Sequence, residues 1–270
     1  MTGTDKVFAG TIPEIYQRYL VPMIFEPYAK DMADRVARLC PLRVLELAAG
    51  TGVATRAIAS QLGTAAEIVA TDLNQSMLDA AANLESGQGK VTFRQADALS
   101  LPFEDESFDL VLCQFGVMFF PDKLQSYREA RRVLKPRGTY IFAVWDQLSS
   151  NEFVTVANAA LASRFPDDPP RFMERTPHGY YDTRAILNAV KEAGFTEASV
   201  ETVDKIARAG SAHDAATGYC QGNPLRAEIE ARAPGKLQAV TDVVATALAE
   251  RFGHSGIEGK IRAHVITARR

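Results

Sequence analysis

From residue 43 onward, apolar runs of strand length alternate with stretches whose apolar residues recur every three to four positions. Runs at 43–49, 67–72, 91–97, 108–115 and 139–145 read as strands, and 53–62, 75–84 and 123–134 read as helices. Gly63 ends the first of these helices, and a Lys135-Pro136-Arg137-Gly138 turn closes the third. Strands separated in this way by helices pair in parallel, and a parallel sheet needs helices over both faces. Upstream, Ala29, Met32, Ala33, Val36 and Leu39 follow Pro27 at the spacing of one buried helical face, which Pro41 ends. Beyond residue 145 the rhythm changes. A helix over 152–165 runs into Pro166-Asp167-Asp168-Pro169-Pro170, too proline-rich to stay helical, and this reads as an inserted lid. Order returns with a helix over 183–193 capped by Asp182, a strand over 198–206, a largely helical stretch over 211–252 and a last strand over 261–268. The expectation is an α/β protein with a doubly wound, mostly parallel seven-stranded sheet.

Composition narrows the function. A chain of 270 residues with 47% hydrophobic and 23% charged content buries a full core and reads as one elaborated domain. Its formal charge is -3 and its isoelectric point about 5.9, with Lys and Arg scattered, so nucleic acid is not an expected substrate. The Arg269-Arg270 pair reads as a solvated chain end. Cys40, Cys113 and Cys220 lie far apart with no CxxC spacing, and no histidine has metal-ligand spacing, so neither a disulfide framework nor a metal site is expected. Residues 1–10 lack a basic start followed by an apolar run, and the apolar stretch 111–120 is short and interrupted by Gln114. A cytoplasmic protein without membrane insertion fits these features.

The chemistry concentrates in Val44-Leu45-Glu46-Leu47-Ala48-Ala49-Gly50-Thr51-Gly52, an apolar strand that runs through small residues into a helix. Such a turn at the carboxyl end of the first strand is where doubly wound sheets bind nucleotides. A dinucleotide fingerprint starting at Gly50 and Gly52 needs a third glycine at position 55, which is Thr55. Counted from the acid, the pattern is instead acid-x-small-x-Gly-x-Gly, at Glu46, Ala48, Gly50 and Gly52. Asp72 closes the second strand, where a carboxylate can accept hydrogen bonds from ribose hydroxyls, and Asp97 closes the third, a third acid at a strand end.

These motifs, together with Leu101-Pro102-Phe103, Ser107 to Phe115 and Arg128-Glu129-Ala130-Arg131-Arg132-Val133-Leu134-Lys135-Pro136-Arg137-Gly138-Thr139, resemble the ubiquinone/menaquinone-biosynthesis type of class I methyltransferase over residues 42–145. The resemblance implies a Rossmann-like fold with helical lid insertions that binds S-adenosylmethionine and leaves S-adenosylhomocysteine as product. It implies a cofactor site made of Glu46, Ala48, Gly50, Thr51 and Gly52, then Asp72, Leu73 and Met77, then Asp97 and Ala98 on the adenine side, then Gln114 and Phe115. Ala48 departs from the glycine usual there and adds a methyl beside the cofactor. The chain then divides into an N-terminal helical cap (1–41), a cofactor core (42–145) and lid or substrate insertions (146–181 and 209–255).

Methyl transfer is an in-line displacement at an activated carbon, so the expected reaction methylates an O, N or C nucleophile of a small molecule chiefly by positioning it. A general base matters only where the acceptor loses a proton. Tyr16, Tyr19, Phe25 and Tyr28, with Phe172, His178, Tyr180 and Tyr181, are candidates for the acceptor wall under 8–28 and 150–225. Tyr16, Tyr19 and His178 are the catalytic candidates, with His178 the histidine to test as a base. Gly50, Gly52 and Asp72 also suit a nucleotide-dependent oxidoreductase, and the lack of an identifiable base leaves room for a non-catalytic S-adenosylmethionine-binding protein. Either a monomer or a homodimer is compatible with the sequence.

Overall fold

The computed structural model describes residues 8, 10–84, 87 and 89–270, so the first part of the expected cap, residues 1–7 and 9, lies outside the described residues. Seven strands, β1 (Arg43–Glu46), β2 (Glu67–Asp72), β3 (Lys90–Gln95), β4 (Phe108–Gln114), β5 (Leu134–Trp145), β6 (Glu197–Ser211) and β7 (Ser255–Arg269), make one sheet in the order β3-β2-β1-β4-β5-β7-β6. Helix α1 (Ile12–Ile15), a π-helical stretch (Tyr16–Phe25) and α2 (Glu26–Leu39) precede β1. Helices α3 (Val53–Leu62) and α4 (Gln75–Leu84) follow β1 and β2, and α5 (Lys123–Val133) joins β4 to β5. Between β5 and β6 come α6 (Glu152–Arg164), α7 (Phe172–Arg175) and α8 (Thr183–Glu192), and between β6 and β7 come α9 (Ala212–Gln221), α10 (Leu225–Arg232) and α11 (Leu237–Phe252).

Strands β1 to β5 pair in parallel and β7 runs antiparallel to β5. Strands β4 and β5 are buried at consecutive positions rather than alternate ones, as both faces of a covered parallel sheet require, whereas the edge strands β3 and β6 are largely exposed. The chain steps outward from β1 to β2 and β3 on one side and to β4 and β5 on the other. The carboxyl end of β1 is therefore the topological switch point, where such sheets open a crevice.

Two compact units emerge. One comprises Tyr28–Trp145, Tyr180–Val203 and Ala263–Arg270 and carries β1 to β5 with the start of β6 and the end of β7. Its core includes Phe108, Tyr127, Tyr140 and Phe142, all fully buried. The other comprises Met1–Pro27, Asp146–Gly179 and Asp204–Arg262 and is mostly helical, with α9 packed on α11 and on the π-helical stretch. There Gly218 of α9 lets the backbone come close, since a Cβ would lie 3.1 Å from Leu20 Cδ2 and 3.2 Å from Tyr19 Cβ.

The structure changes several expectations. The helical run starts at Ile12 rather than after Pro27, because a π-helical ladder, in which Glu26 N–H donates to Val21 C=O, carries the chain past Pro22. Leu39, expected on the buried face of α2, is 38% exposed. The expected strand 43–49 stops at Glu46, because Ala48 turns left-handed at φ 53°. The strand 91–97 becomes Lys90–Gln95, which leaves Asp97 two residues beyond its end. Lys135 to Gly138 form a bulge within β5 rather than a turn: Phe108 pairs with Leu134 and Leu110 with Thr139, so four residues of β5 lie opposite Asp109 alone. Lys135 Nζ, 2.8 Å from Asp109 Oδ1, ties that bulge down. Strands β6 and β7 extend well past the expected 198–206 and 261–268. Among the described residues no helix is long and apolar enough to cross a membrane, and no group of three or more His, Cys, Asp or Glu could hold a metal ion.

Asp182 caps α8 as its sequence position suggests, accepting from the amides of Arg184 at 2.9 Å and Ala185 at 3.2 Å. Asp182→Ala is expected to cost about 1 kcal/mol in urea unfolding. An unchanged midpoint would show that this cap is not maintained in solution.

Candidate functional site

Glu46 ends β1 between two neighbouring strands, so its side chain is taken out of water and is only 2% exposed. Thr55, one turn into α3, donates to Glu46 Oε2 at 2.6 Å, and Thr71 of β2 donates to the Glu46 carbonyl at 2.7 Å. The chain then turns through three left-handed residues, Ala48 (φ 53°), Gly50 (φ 58°) and Gly52 (φ 77°), before entering α3. The two glycines meet this backbone at no steric cost, whereas Ala48 is strained by its Cβ.

The turn is held from β2. The Gly50 amide donates to Asp72 Oδ2 at 2.9 Å, while Asp72 Oδ1 accepts from the Asn74 amide at 2.8 Å and from Asn74 Nδ2 at 3.3 Å. Arg56 donates to the Thr51 carbonyl at 2.6 Å. Thr51 is 1% exposed, and its hydroxyl has no hydrogen-bond partner among the described residues. Gly52 caps α3 without a side chain, so the first amides of a ten-residue helix point out of its positive end. A buried hydroxyl in need of a partner, open helix amides and two buried carboxylates beside one turn suit a ligand that brings hydroxyls and a cation.

Burial raises the Glu46 carboxyl to about 7, a shift that the Thr55 hydrogen bond and the Arg56 charge oppose and the Asp72 charge reinforces. Burial likewise raises Asp72, against the amides of Asn74 and Gly50. Among the described residues no salt bridge is made by either carboxylate, and the Arg56 charge acts on Glu46 without a direct contact between them.

The other expected cofactor residues fall in the same unit. Met77 of α4 and Ala98 are buried, Leu73 is 46% exposed just past Asp72, and Gln114 and Phe115 close β4. Phe115 is also left-handed, at φ 56°, and stacks on Trp145 with centroids 3.8 Å apart and planes 8° from parallel. Tyr28 meets both rings edge-on at 5.2 and 5.4 Å and donates to the Val203 carbonyl at 3.0 Å. With 1% exposure Tyr28 is a packing residue rather than the acceptor wall expected of it, and Phe172 is equally buried. Trp145 and Tyr28 as supports of Phe115 had no local sequence signal, because residues 28, 115 and 145 meet only in the fold.

Asp97 departs from the expectation of three acids in register. It is exposed and caps its own turn, accepting from the Leu99 amide at 2.9 Å. The segment after it is clamped instead from α5. Arg132 donates to the Leu101 and Phe103 carbonyls at 2.9 and 2.8 Å, and Glu129 accepts from the Leu101 amide at 2.7 Å.

Tyr16, Tyr19 and His178 lie in the other unit. Tyr16 packs at 5.0 Å on Phe25, and Arg18 sits 5.2 Å over the Tyr19 ring. His178 Nδ1 is 2.8 Å from the Asp146 carbonyl, which can only accept, so this nitrogen carries the hydrogen. Burial lowers its pKa to about 4, making His178 a neutral and weak base at pH 7. Of the other histidines, His264 pairs with Thr202 at 3.0 Å and His213 with Gln238 at 3.3 Å.

The fold is Rossmann-like, and this turn lies at the carboxyl end of β1. Residues 45–142 match the family model described as a methyltransferase domain. The chain is 33% identical over 165 residues to the ubiquinone/menaquinone biosynthesis C-methyltransferase UbiE of Pseudomonas aeruginosa, covering 57% of this chain and 64% of that protein. It is 42% identical over 97 residues to the demethylmenaquinone methyltransferase of Lactobacillus johnsonii, covering 35% and 40%. The matched region thus spans less than two thirds of either relative. Among solved structures, phosphoethanolamine N-methyltransferase 2 of Haemonchus contortus, in complex with S-adenosyl-L-methionine, covers 100% of this chain and 60% of that chain at TM-score 0.61 and 16% identity. The YcgJ protein of Bacillus subtilis covers 89% and 98% at TM-score 0.56 and 17% identity. These structures share the fold, a mostly parallel seven-stranded sheet.

Glu46 gives a pH signature. The unfolded chain releases this proton near 4.5 and the folded chain near 7, so its stabilising contribution is fully present below about 4.5 and is lost as pH rises to about 7. Glu46→Gln is expected to raise the melting temperature at about pH 8 and to leave it nearly unchanged at about pH 4.5. Equal effects at both pH values would show that Glu46 ionises normally in the folded chain.

Proposed function

We propose that the chain transfers a methyl group from S-adenosylmethionine to a small-molecule nucleophile, with the turn after β1 as the cofactor site. The observation that carries this reading is the left-handed turn 48–52 at the switch point, with buried Glu46 and Asp72 and the unpartnered Thr51 hydroxyl around it. Asp72 is assigned to the ribose hydroxyls, Leu73, Met77 and Ala98 to the adenine side, and Gln114 and Phe115 to the methionine side. Asp97 joins the adenine side if its carboxylate leaves the Leu99 amide. Glu46 supplies negative charge toward the amino acid end.

When bound, the cofactor supplies a methyl already activated by its sulfonium. The chain's task is to hold an acceptor atom in line behind that carbon, an alignment worth as much as roughly 7 to 11 kcal/mol. His178, held neutral by burial, is a poor proton acceptor, which favours positioning over base catalysis. The sequence segments 1–41, 146–181 and 209–255, outside the cofactor core, are assigned to the acceptor. The names of the relatives make a quinone-type ring carbon the first acceptor class to try, with no nucleic acid partner and a monomer or homodimer in the cytoplasm.

The oxidoreductase alternative is disfavoured at Thr55, whose hydroxyl is used inside the turn, on Glu46, at the place where a dinucleotide site needs a bare glycine. Titration calorimetry with S-adenosylhomocysteine tests the proposal, with NAD as a control. Micromolar binding is expected, weakened at least about tenfold in Asp72→Ala, since hydrogen bonds to a charged acceptor contribute about 1.5–3 kcal/mol each. Binding of NAD alone, or of neither ligand, would contradict it. Failure of every acceptor in the presence of tight cofactor binding would favour a non-catalytic binding protein.

A further inference from the structure

Gly116 follows the left-handed Phe115 at the end of β4, yet its own backbone, φ −101° and ψ −35°, is one that any residue adopts. Conformation does not demand glycine there; space does. A Cβ built on Gly116 collides with the methyl of Ala48 and lies 2.7 Å from Cys113 Sγ. Ala48 is the converse case. It holds a methyl at φ 53°, where glycine is unstrained, on the turn after the neighbouring strand. The two turns are adjacent because β1 pairs with β4 up to Glu46 and Leu112, and Leu47 N–H continues the ladder to the Leu112 carbonyl at 2.8 Å.

We propose that Ala48 and Gly116 are a matched pair, in which Gly116 is a positioning residue whose missing side chain lets the cofactor turn keep its shape with alanine at position 48. The space between the ends of β1 and β4 admits one methyl, and this chain places it on the β1 side. The proposal rests on the reading of the turn as a cofactor site, and it locates the compensation for the departure from glycine there. A methyl added at 116 displaces either Ala48, and with it the Gly50 amide two residues on, or Phe115 and its stack on Trp145.

The test compares the parent, Ala48→Gly, Gly116→Ala and the double variant by calorimetry with S-adenosylhomocysteine and by melting temperature. Gly116→Ala is expected to weaken binding at least tenfold and lower the melting temperature. Adding Ala48→Gly should recover at least half of that loss on a logarithmic scale, and Cys113→Ala in the double variant should recover most of the remainder. Gly116→Ala binding within twofold of the parent, or a double variant no better than Gly116→Ala, would overturn the pairing. A parent that binds no S-adenosylhomocysteine would contradict the cofactor reading alone; the pairing would then stand or fall on whether Ala48→Gly restores the melting temperature lost in Gly116→Ala.

Discussion

One hydrogen bond organises the carboxyl end of the sheet: the Gly50 amide donates to the Asp72 carboxylate across the gap between β1 and β2. A turn of three left-handed residues has few internal bonds to hold it, and a carboxylate at the end of the adjacent strand supplies the fixed point. From that point the rest follows. The turn delivers the chain into α3 with Gly52 at its start, Thr55 then reaches back to Glu46, and Thr71 holds the strand from the other side. Two acids that would be costly to bury singly are thus kept in place by neutral donors.

That arrangement buries two acids side by side, with the Arg56 charge and neutral donors opposing the effect of burial. Burial holds both carboxyls above their ordinary range. Under the proposed function, the ammonium and sulfonium of S-adenosylmethionine would favour the ionised form of these carboxylates. The aromatic group of Phe115, Trp145 and Tyr28 does the mechanical counterpart on β4, bracing a second left-handed residue beside the first turn.

Much of this was legible in the sequence because its signals are local. The spacing of acid, small residue and glycines marks the turn, and α3, β2 and α4 occupy the residues their periodicity predicts. The failures occur where a distant partner overrides a local signal. Lys135 to Gly138 have turn composition, but Asp109 and the pairing of β4 hold them as a bulge. The helix expected to follow Pro27 begins upstream of it, because the widened ladder of the π-helical stretch carries the chain past Pro22 and Pro27 sits in the first turn of α2. Asp97 has the right sequence spacing for a third strand-end acid, but β3 ends two residues early and the side chain serves its own turn. The low basicity of His178 comes from burial, which no single position in a sequence reveals.

A crystal structure of the chain grown with S-adenosylhomocysteine tests the central claim most directly. The account predicts the ribose hydroxyls on Asp72, the ligand lying along the turn 48–52, and a partner for the buried Thr51 hydroxyl. Ligand bound anywhere else, with the Gly50–Asp72 turn untouched, would contradict it.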